Sequence, residues 1–214
     1  MDLSDYARPL ALAVARALRD TRVRAPHVTL VFLVVGCAGA AFYAQGTDLW
    51  AIAGALCLQA KNVLDAVDGS LARVQNRPSR IGRFLDSVSD AVVAAALYAA
   101  LGHVAAAARP GVYAWPLAAA ALLATLFQTS VFNYYYVRYR RRTGADPTSR
   151  TEEAFTEEDR ETYADRPWAR RTLAALVAAY QIAYGWADRL VAGLDRWAVR
   201  PLVAFGRLPE AAAI

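Results

Sequence analysis

Four aspartates in fixed register carry most of the chemistry open to this chain: Asp65, Asp68, Asp86 and Asp90. Around them the sequence reads D-A-V-D-G-S-L-A-R, then eight residues, then G-R-F-L-D-S-V-S-D. Asp65 and Asp68 are three apart, and Asp86 and Asp90 four apart, so on helices each pair shares a face. Carboxylates gathered at the edge of apolar helices repel one another and lose hydration unless something positive sits among them. The simplest such partner is one or two divalent cations held by oxygen ligands, Mg2+ or Mn2+. Asp65 and Asp68 close an apolar block. They are therefore expected at a helix carboxyl end, where the helix dipole adds to the need for a cation.

Long apolar elements must position these acids. The apolar fraction is 57%, above the roughly 45–50% of soluble domains, and it is concentrated in blocks. Residues 25–47, 91–108 and 110–137 hold no formal charge, and each approaches or exceeds the ~20 residues that span a bilayer. Residues 49–64 are broken only by Lys61, the one lysine of the chain. Near the end of its block its stem is expected to snorkel toward water. Residues 172–187 form a shorter fifth block, and Asp195, Arg196 and Arg200 weaken a sixth. The expected fold is all-α, a polytopic membrane helix bundle. Cys37 and Cys57 fall inside these blocks, form no CxxC pair and read as inert packing thiols.

The lead-in, residues 1–24, holds Arg8, Arg16, Arg19, Arg22 and Arg24 before the first charge-free block, so no cleavable signal peptide is expected. Tyr6, Leu10, Val14 and Leu18 recur at helical spacing and predict an amphipathic juxtamembrane surface helix. Residues 25–214 form the membrane domain, with a cytoplasmic loop over 138–169. The acids of that loop read as a solvated surface, with Thr151 or Thr156 capping a short helix. Arginines crowd the lead-in, residues 73–83 and residues 138–142. This bias puts the amino terminus and the four aspartates on the cytoplasmic side of a bacterial or archaeal inner membrane. A net charge of +5 then serves topology, anionic lipid and phosphate ligands, not nucleic acid. Trp168, Trp186 and Trp197 read as markers of the membrane interface.

The residues between the acids suit a phosphate ligand. Gly69 allows close approach to the backbone, and Ala72, one turn beyond Asp68, keeps that face open. Arg73 can present a bidentate fork to phosphate. Asn76, Pro78 and Ser79 predict a turn with Ser79 capping the next helix, and Gly82 gives a second place of close approach. Arg138 and Arg141, after the aromatic run 134–136, offer a docking site for an anionic acceptor such as a sugar phosphate.

This spacing resembles in full the signature of the CDP-alcohol phosphotransferase family, D-x-x-D-G-x-x-A-R, eight residues, G-x-x-x-D-x-x-x-D. The specific motif covers residues 65–90. The resemblance implies an integral membrane enzyme of about six transmembrane helices that dimerises with its own kind. Such an enzyme cleaves a CDP diphosphate, passes the substituted phosphate to an alcohol and releases CMP. It implies that Asp65, Asp68 and Asp86 ligate metal, and that Asp90 touches metal and serves as general base. Gly69, Ala72, Arg73 and Gly82 would line the cytidine and diphosphate pocket. Pro26-His27-Val28-Thr29 resembles the family's P-N-x-x-T element, which would bring His27 and Thr29 to the nucleotide. Here histidine replaces asparagine and the threonine falls one residue early.

The chemistry is coherent with the residues. A diphosphate must have its charge neutralised before a neutral alcohol can attack it, and two metal ions do this while stabilising the leaving CMP. The alcohol needs a base as the bond forms. The expected partners are a CDP-linked donor, CDP-diacylglycerol or a related CDP-lipid, together with a polar alcohol acceptor and membrane lipid. The reverse arrangement, a CDP-polar alcohol with a lipid acceptor, is the alternative. A divalent-cation transporter is the reading from a different class, because intramembrane carboxylates are its usual mark.

Overall fold

The computed structural model describes residues 8–77, 79–109, 113–142 and 154–204, and over them it is helical with no strand. In chain order the helices are α1 (Arg8–Ala17), α2 (Ala25–Tyr43), α3 (Asp48–Val74), α4 (Arg80–Ala108), α5 (Ala114–Arg142) and the short α6 (Glu157–Thr162). Then α7 (Pro167–Tyr180) runs through a π turn (Gln181–Gly185) straight into α8 (Trp186–Ala204). The blocks expected as fifth and sixth spans are thus one continuous rod among the described residues. A π turn widens the helix by one residue without reversing it.

Among the described residues, three helices are long and apolar enough to cross a membrane: α2, α4 and, over Ala114–Tyr139, α5. Their large outward side chains, among them Val31, Val34, Val92, Leu101, Leu117 and Phe132, are exposed. An exposed apolar face of this extent requires an apolar surrounding, and the bilayer supplies it. α3 is as long, but Lys61, Asp65, Asp68 and Arg73 set it apart in polarity.

α2 is the hub of the amino-terminal half and packs along both α3 and α4. The α2–α3 crossing is close because Gly39 and Gly54 meet there. A Cβ on Gly39 would stand 3.1 Å from the Gly54 carbonyl oxygen. One buried cluster joins α1, α2 and α3 through Ala11, Ala15, Val28, Val67 and Leu71. A second joins α4, α5 and the α7–α8 rod through Phe84, Ala91, Leu126, Leu173, Val177, Tyr180 and Tyr184.

In the lead-in helix Ala11 and Ala15 are the buried residues of α1, whereas Leu10 and Val14 are exposed and Tyr6 lies outside the described residues. Small side chains allow α1 to seat closely against α3, which turns the larger ones outward. Gln75 locks the lead-in in place. Its Nε2 donates to the Val23 carbonyl at 2.9 Å and the Arg19 carbonyl at 3.2 Å.

The turn from α3 to α4 is built by two caps. Asn76 takes φ 50°, a left-handed conformation that asparagine tolerates. The Arg77 N–H then reaches the Ala72 carbonyl and the Asn76 N–H the Arg73 carbonyl, both at 3.0 Å. This double closure is a Schellman motif. Ser79 caps α4, its Oγ accepting from the Gly82 N–H at 3.0 Å. α3 therefore runs on to Val74, more than a turn beyond Asp68. The helix dipole acts only within the last turn, so the expected carboxyl-end effect on Asp65 and Asp68 does not apply.

Two polar ties hold the carboxyl-terminal half. Asp159, at the start of α6, is 3% exposed, and its Oδ1 lies 3.1 Å from the Arg80 Nε on α4. This acid of the loop is a buried ion-pair partner, not part of a solvated surface. Its Oδ2 accepts from the Thr156 N–H at 2.9 Å and closes the start of α6; Thr151 lies outside the described residues. Trp186 is turned into the second cluster, its Nε1 donating to the Ala183 carbonyl at 3.0 Å, whereas Trp168 and Trp197 are exposed. On α5, Arg138 Nη1 lies 2.6 Å from Asp195 Oδ2 on α8, and the hydroxyls of Tyr134 and Tyr135 donate to the same carboxylate at 3.0 and 3.1 Å. The side chains of Arg138 and Asp195 are 19% and 12% exposed. Asp195→Ala leaves a mostly buried guanidinium without its counter-charge and is expected to cost about 3 kcal/mol. A lowered melting temperature in detergent checks this; an unchanged one would show that solvent screens the pair.

Candidate active site

Asp65, Asp68 and Asp86 each offer a carboxylate oxygen, and the three oxygens lie within 4.8 Å of one another. α3 supplies two of them from one face and α4 the third from across the gap. At that separation each ionised pair repels by about 3–4 kcal/mol at an effective dielectric of ~20. Three pairs amount to roughly 10 kcal/mol, comparable with the entire net stability of about 5–15 kcal/mol of a folded domain. Asp86 Oδ1 is also buried with no hydrogen-bond partner. A buried orphan acceptor in a ring of hard oxygen donors fits a Mg2+ or Mn2+ ion.

Two of the residues expected at the nucleotide have partners within the protein. The Thr29 hydroxyl donates to Asp68 Oδ2 at 2.6 Å. Thr29 is 1% exposed, so this bond is shielded and fixes the Asp68 carboxylate in its direction. His27 caps α2, its Nδ1 accepting from the Arg24 N–H at 3.0 Å. The histidine in place of the family's asparagine thus serves the helix start. Gly69 lies under the guanidinium of Arg73, which a Cβ at Gly69 would meet at 3.7 Å. Arg73 Nη2 donates to Ser70 Oγ at 3.3 Å, and the side chain is otherwise open. Gly82 faces Ser79 Oγ and, at 3.9 Å from where its Cβ would be, Pro26. The first turns of α2 and α4 therefore meet beside the acids. Ala72 is half-buried on α3 between these features.

Asp90 lies outside the three-carboxylate group and is ion-paired with Lys61 Nζ. Lys61 is the residue that sequence reasoning placed wrongly. It stands at the midpoint of α3, is 8% exposed, and turns inward, not toward water. Its Nζ also lies 3.5 Å from Asp65 Oδ2 and 4.8 Å from the centroid of the Phe32 ring. The available signal was its singularity. In a chain whose other basic residues are all arginine, one lysine sits one helical turn before Asp65.

Asp86 and Asp90 also form one wall of a cavity of about 310 Å³ between α4, α5 and the α7–α8 rod. Ser130 and Asn133 on α5 line the facing wall, with Arg83 and Tyr184 at its sides. Ser130 Oγ is buried with no partner. Arg138 is not among the lining residues. Its binding to Asp195 and Tyr134 points it at α8. Arg141 is in the last turn of α5, and its side chain lies outside the described residues.

Thr29→Val keeps the shape of this side chain and removes the bond to Asp68. Loss of such an outer contact to a ligand typically weakens metal binding about 10–100-fold. A Mn2+ titration followed by electron paramagnetic resonance should show this. Equal affinity in the variant would mean that Asp68 is held by something else.

The model of the CDP-alcohol phosphatidyltransferase family matches residues 21–199. The archaetidylinositol phosphate synthase of Methanothermobacter thermautotrophicus is 42% identical over 66 residues, which are 31% of this chain and 32% of that protein. The match therefore spans about a third of the relative's length. Two crystal structures of the Mycobacterium tuberculosis phosphatidylinositol phosphate synthase match this chain over most of its length. The complex with manganese and citrate has a TM-score of 0.45 at 20% identity, covering 85% of this chain and 88% of that one. The CDP-DAG-bound form has a TM-score of 0.46 at 19% identity, covering 86% and 94%. With a family model matched across both helices of the acidic site and most of the remaining chain, the protein belongs to the CDP-alcohol phosphatidyltransferase family, a family of metal-dependent membrane transferases.

Proposed function

We propose that this protein moves the lipid-bearing phosphate of a CDP-lipid, CDP-diacylglycerol or a close relative, onto a hydroxyl of a polar acceptor and releases CMP. The observation that carries this reading is the shared wall: Asp86 belongs to the three-carboxylate group and, with Asp90, lines the cavity. Donor and acceptor chemistry can thus meet at one place.

Asp65, Asp68 and Asp86 would hold one or two Mg2+ or Mn2+ ions, which when bound neutralise the diphosphate and stabilise the departing CMP. Arg73, folded over Gly69, places a guanidinium where the diphosphate oxygens gain charge. Asp90 takes the proton of the acceptor hydroxyl. The acceptor oxygen forms a bond to the lipid-side phosphorus, the bond from that phosphorus to the CMP oxygen breaks, and CMP leaves with the electron pair. The proton then passes from Asp90 to water. Ser130 and Asn133 offer neutral hydrogen-bonding groups to a polyol, and Arg83 offers a cation to a phosphate borne by it. The name of the archaeal relative supports a phosphorylated polyol such as an inositol phosphate as acceptor.

The same reading assigns residues 25–214 to the membrane domain and residues 1–24 to a lead-in along the membrane surface. It places the acids on the cytoplasmic side of the inner membrane, with α3 and the α7–α8 rod completing the set of spans, in a homodimer. The arginines of the lead-in and of residues 73–83 support this orientation.

The test uses the purified full chain with Mn2+, CDP-diacylglycerol and a panel of polyols and polyol phosphates. CMP and lipid product are expected in equal amounts, with EDTA abolishing and Mn2+ restoring the reaction. Absence of CMP from every CDP-alcohol tried would overturn the assignment. A product formed only from a CDP-polar alcohol and a lipid acceptor would reverse donor and acceptor. Asp90→Asn should lower kcat by about 10²–10⁴-fold and leave Mn2+ affinity unchanged. Asn133→Ala should raise the acceptor KM roughly tenfold without moving the donor KM. An unmoved acceptor KM would take the acceptor out of this cavity.

A further inference from the structure

α7 passes into α8 through the π turn Gln181–Gly185, and this turn brings Tyr184 into the lining of the cavity. π turns are rare within helices and frequent at functional sites. A Cβ on Gly185 would collide with Gln181 Oε1 and stand 3.0 Å from Gln181 Cδ. Glycine therefore leaves the space that the Gln181 side chain fills beside the turn.

The two tyrosines of this segment differ in what their hydroxyls do. The Tyr180 hydroxyl donates to Asp188 Oδ2 at 2.9 Å, so it is committed to the rod itself. The Tyr180 ring packs edge-on against Phe84 at 5.5 Å and beside the Tyr184 ring at 5.2 Å, which holds Tyr184 from one side. Tyr184 is 6% exposed, and its hydroxyl makes no hydrogen bond among the described residues. On α5, Ser130 is 2% exposed and its Oγ is buried without a partner. A hydroxyl shielded from water and left unpaired is unfavourable. Two of them, from two different helices, line one cavity of about 310 Å³, near the small end of the roughly 300–1,000 Å³ of ligand pockets.

We propose that Tyr184 is a specificity-determining residue for the acceptor: with Ser130 it reads two separate hydroxyls of a ring polyol, the phenol from the rod and the serine from α5. This rests on the reading of the cavity as the acceptor site. A hydroxyl both donates and accepts, so each can pair with a polyol hydroxyl in either sense. A small alcohol that reaches only one of the two leaves the other unpaired. Rejection by an unpaired buried group is stronger than rejection by lost packing.

The test compares the purified full chain with Tyr184→Phe, Ser130→Ala and the double variant, with inositol phosphate and glycerol phosphate as probes. Initial rates are measured with Mn2+ and CDP-diacylglycerol. Thermal stabilisation by each probe in detergent is measured in parallel and needs no turnover. Tyr184→Phe keeps the ring and its packing on Tyr180 and removes the hydroxyl alone. Each single variant should raise the KM for inositol phosphate about three- to tenfold, leave the donor KM in place, and need correspondingly more inositol phosphate for the same rise in Tm. The two losses should multiply in the double variant, because the hydroxyls meet different groups of the ligand. Glycerol phosphate has one hydroxyl left when the other reacts, so the preference for inositol phosphate should narrow in the double variant. A merely structural tyrosine would lower the ligand-free Tm and leave the acceptor KM and the stabilisation unmoved; that result, or a raised donor KM, would overturn the proposal. No stabilisation of the wild type by either probe would also overturn it. A wild type that is stabilised but does not turn over, with the variants less stabilised, would sink the transfer reading and leave the polyol site standing.

Discussion

Like charge crowded between apolar helices is the constraint on which the rest of this structure depends. Three carboxylate oxygens within 4.8 Å of one another repel strongly whenever all three are ionised. The architecture keeps them crowded all the same. α2 packs on both α3 and α4 and so fixes the two helices on either side of the acids. The Schellman closure at Asn76 and the Ser79 cap hold the turn between them in one geometry. Thr29 donates to Asp68, and Lys61 is ion-paired with both Asp90 and Asp65. Both side chains come from α2 or from α3 beneath it. The acids are thus held in one arrangement that could take a dication, which is what a metal site must be if charge neutralisation is to cost no rearrangement at the moment of reaction.

The sequence makes the acids legible because helical spacing alone puts Asp65 with Asp68 and Asp86 with Asp90. It also makes the turn legible, since Asn76 and Ser79 are residues whose side chains and backbone preferences select caps. The inequality among the four aspartates is not legible. Spacing states which face a side chain shares, not which partner reaches it from another helix. Lys61 shows the limit most clearly. Near the end of an apolar block, snorkelling is the expected behaviour of a lysine. The helix instead continues to Val74, so residue 61 is at its middle, and the nearest relief for its charge is Asp90 across the gap. The partner of Arg138 is equally illegible along the chain, because it is the carboxylate of Asp195 on another helix.

The outer half of the molecule follows a different economy. α5 presents exposed Leu117, Leu123 and Phe132, and it joins α8 through a small polar network, Arg138, Tyr134, Tyr135 and Asp195. In an apolar surrounding such a network must satisfy its polar groups internally, because no water is at hand. Arg80 and Asp159 do the equivalent at the start of α4, tying α6 down beside the site. Polar residues that read as surface decoration in the sequence therefore become cross-links once the helices are side by side.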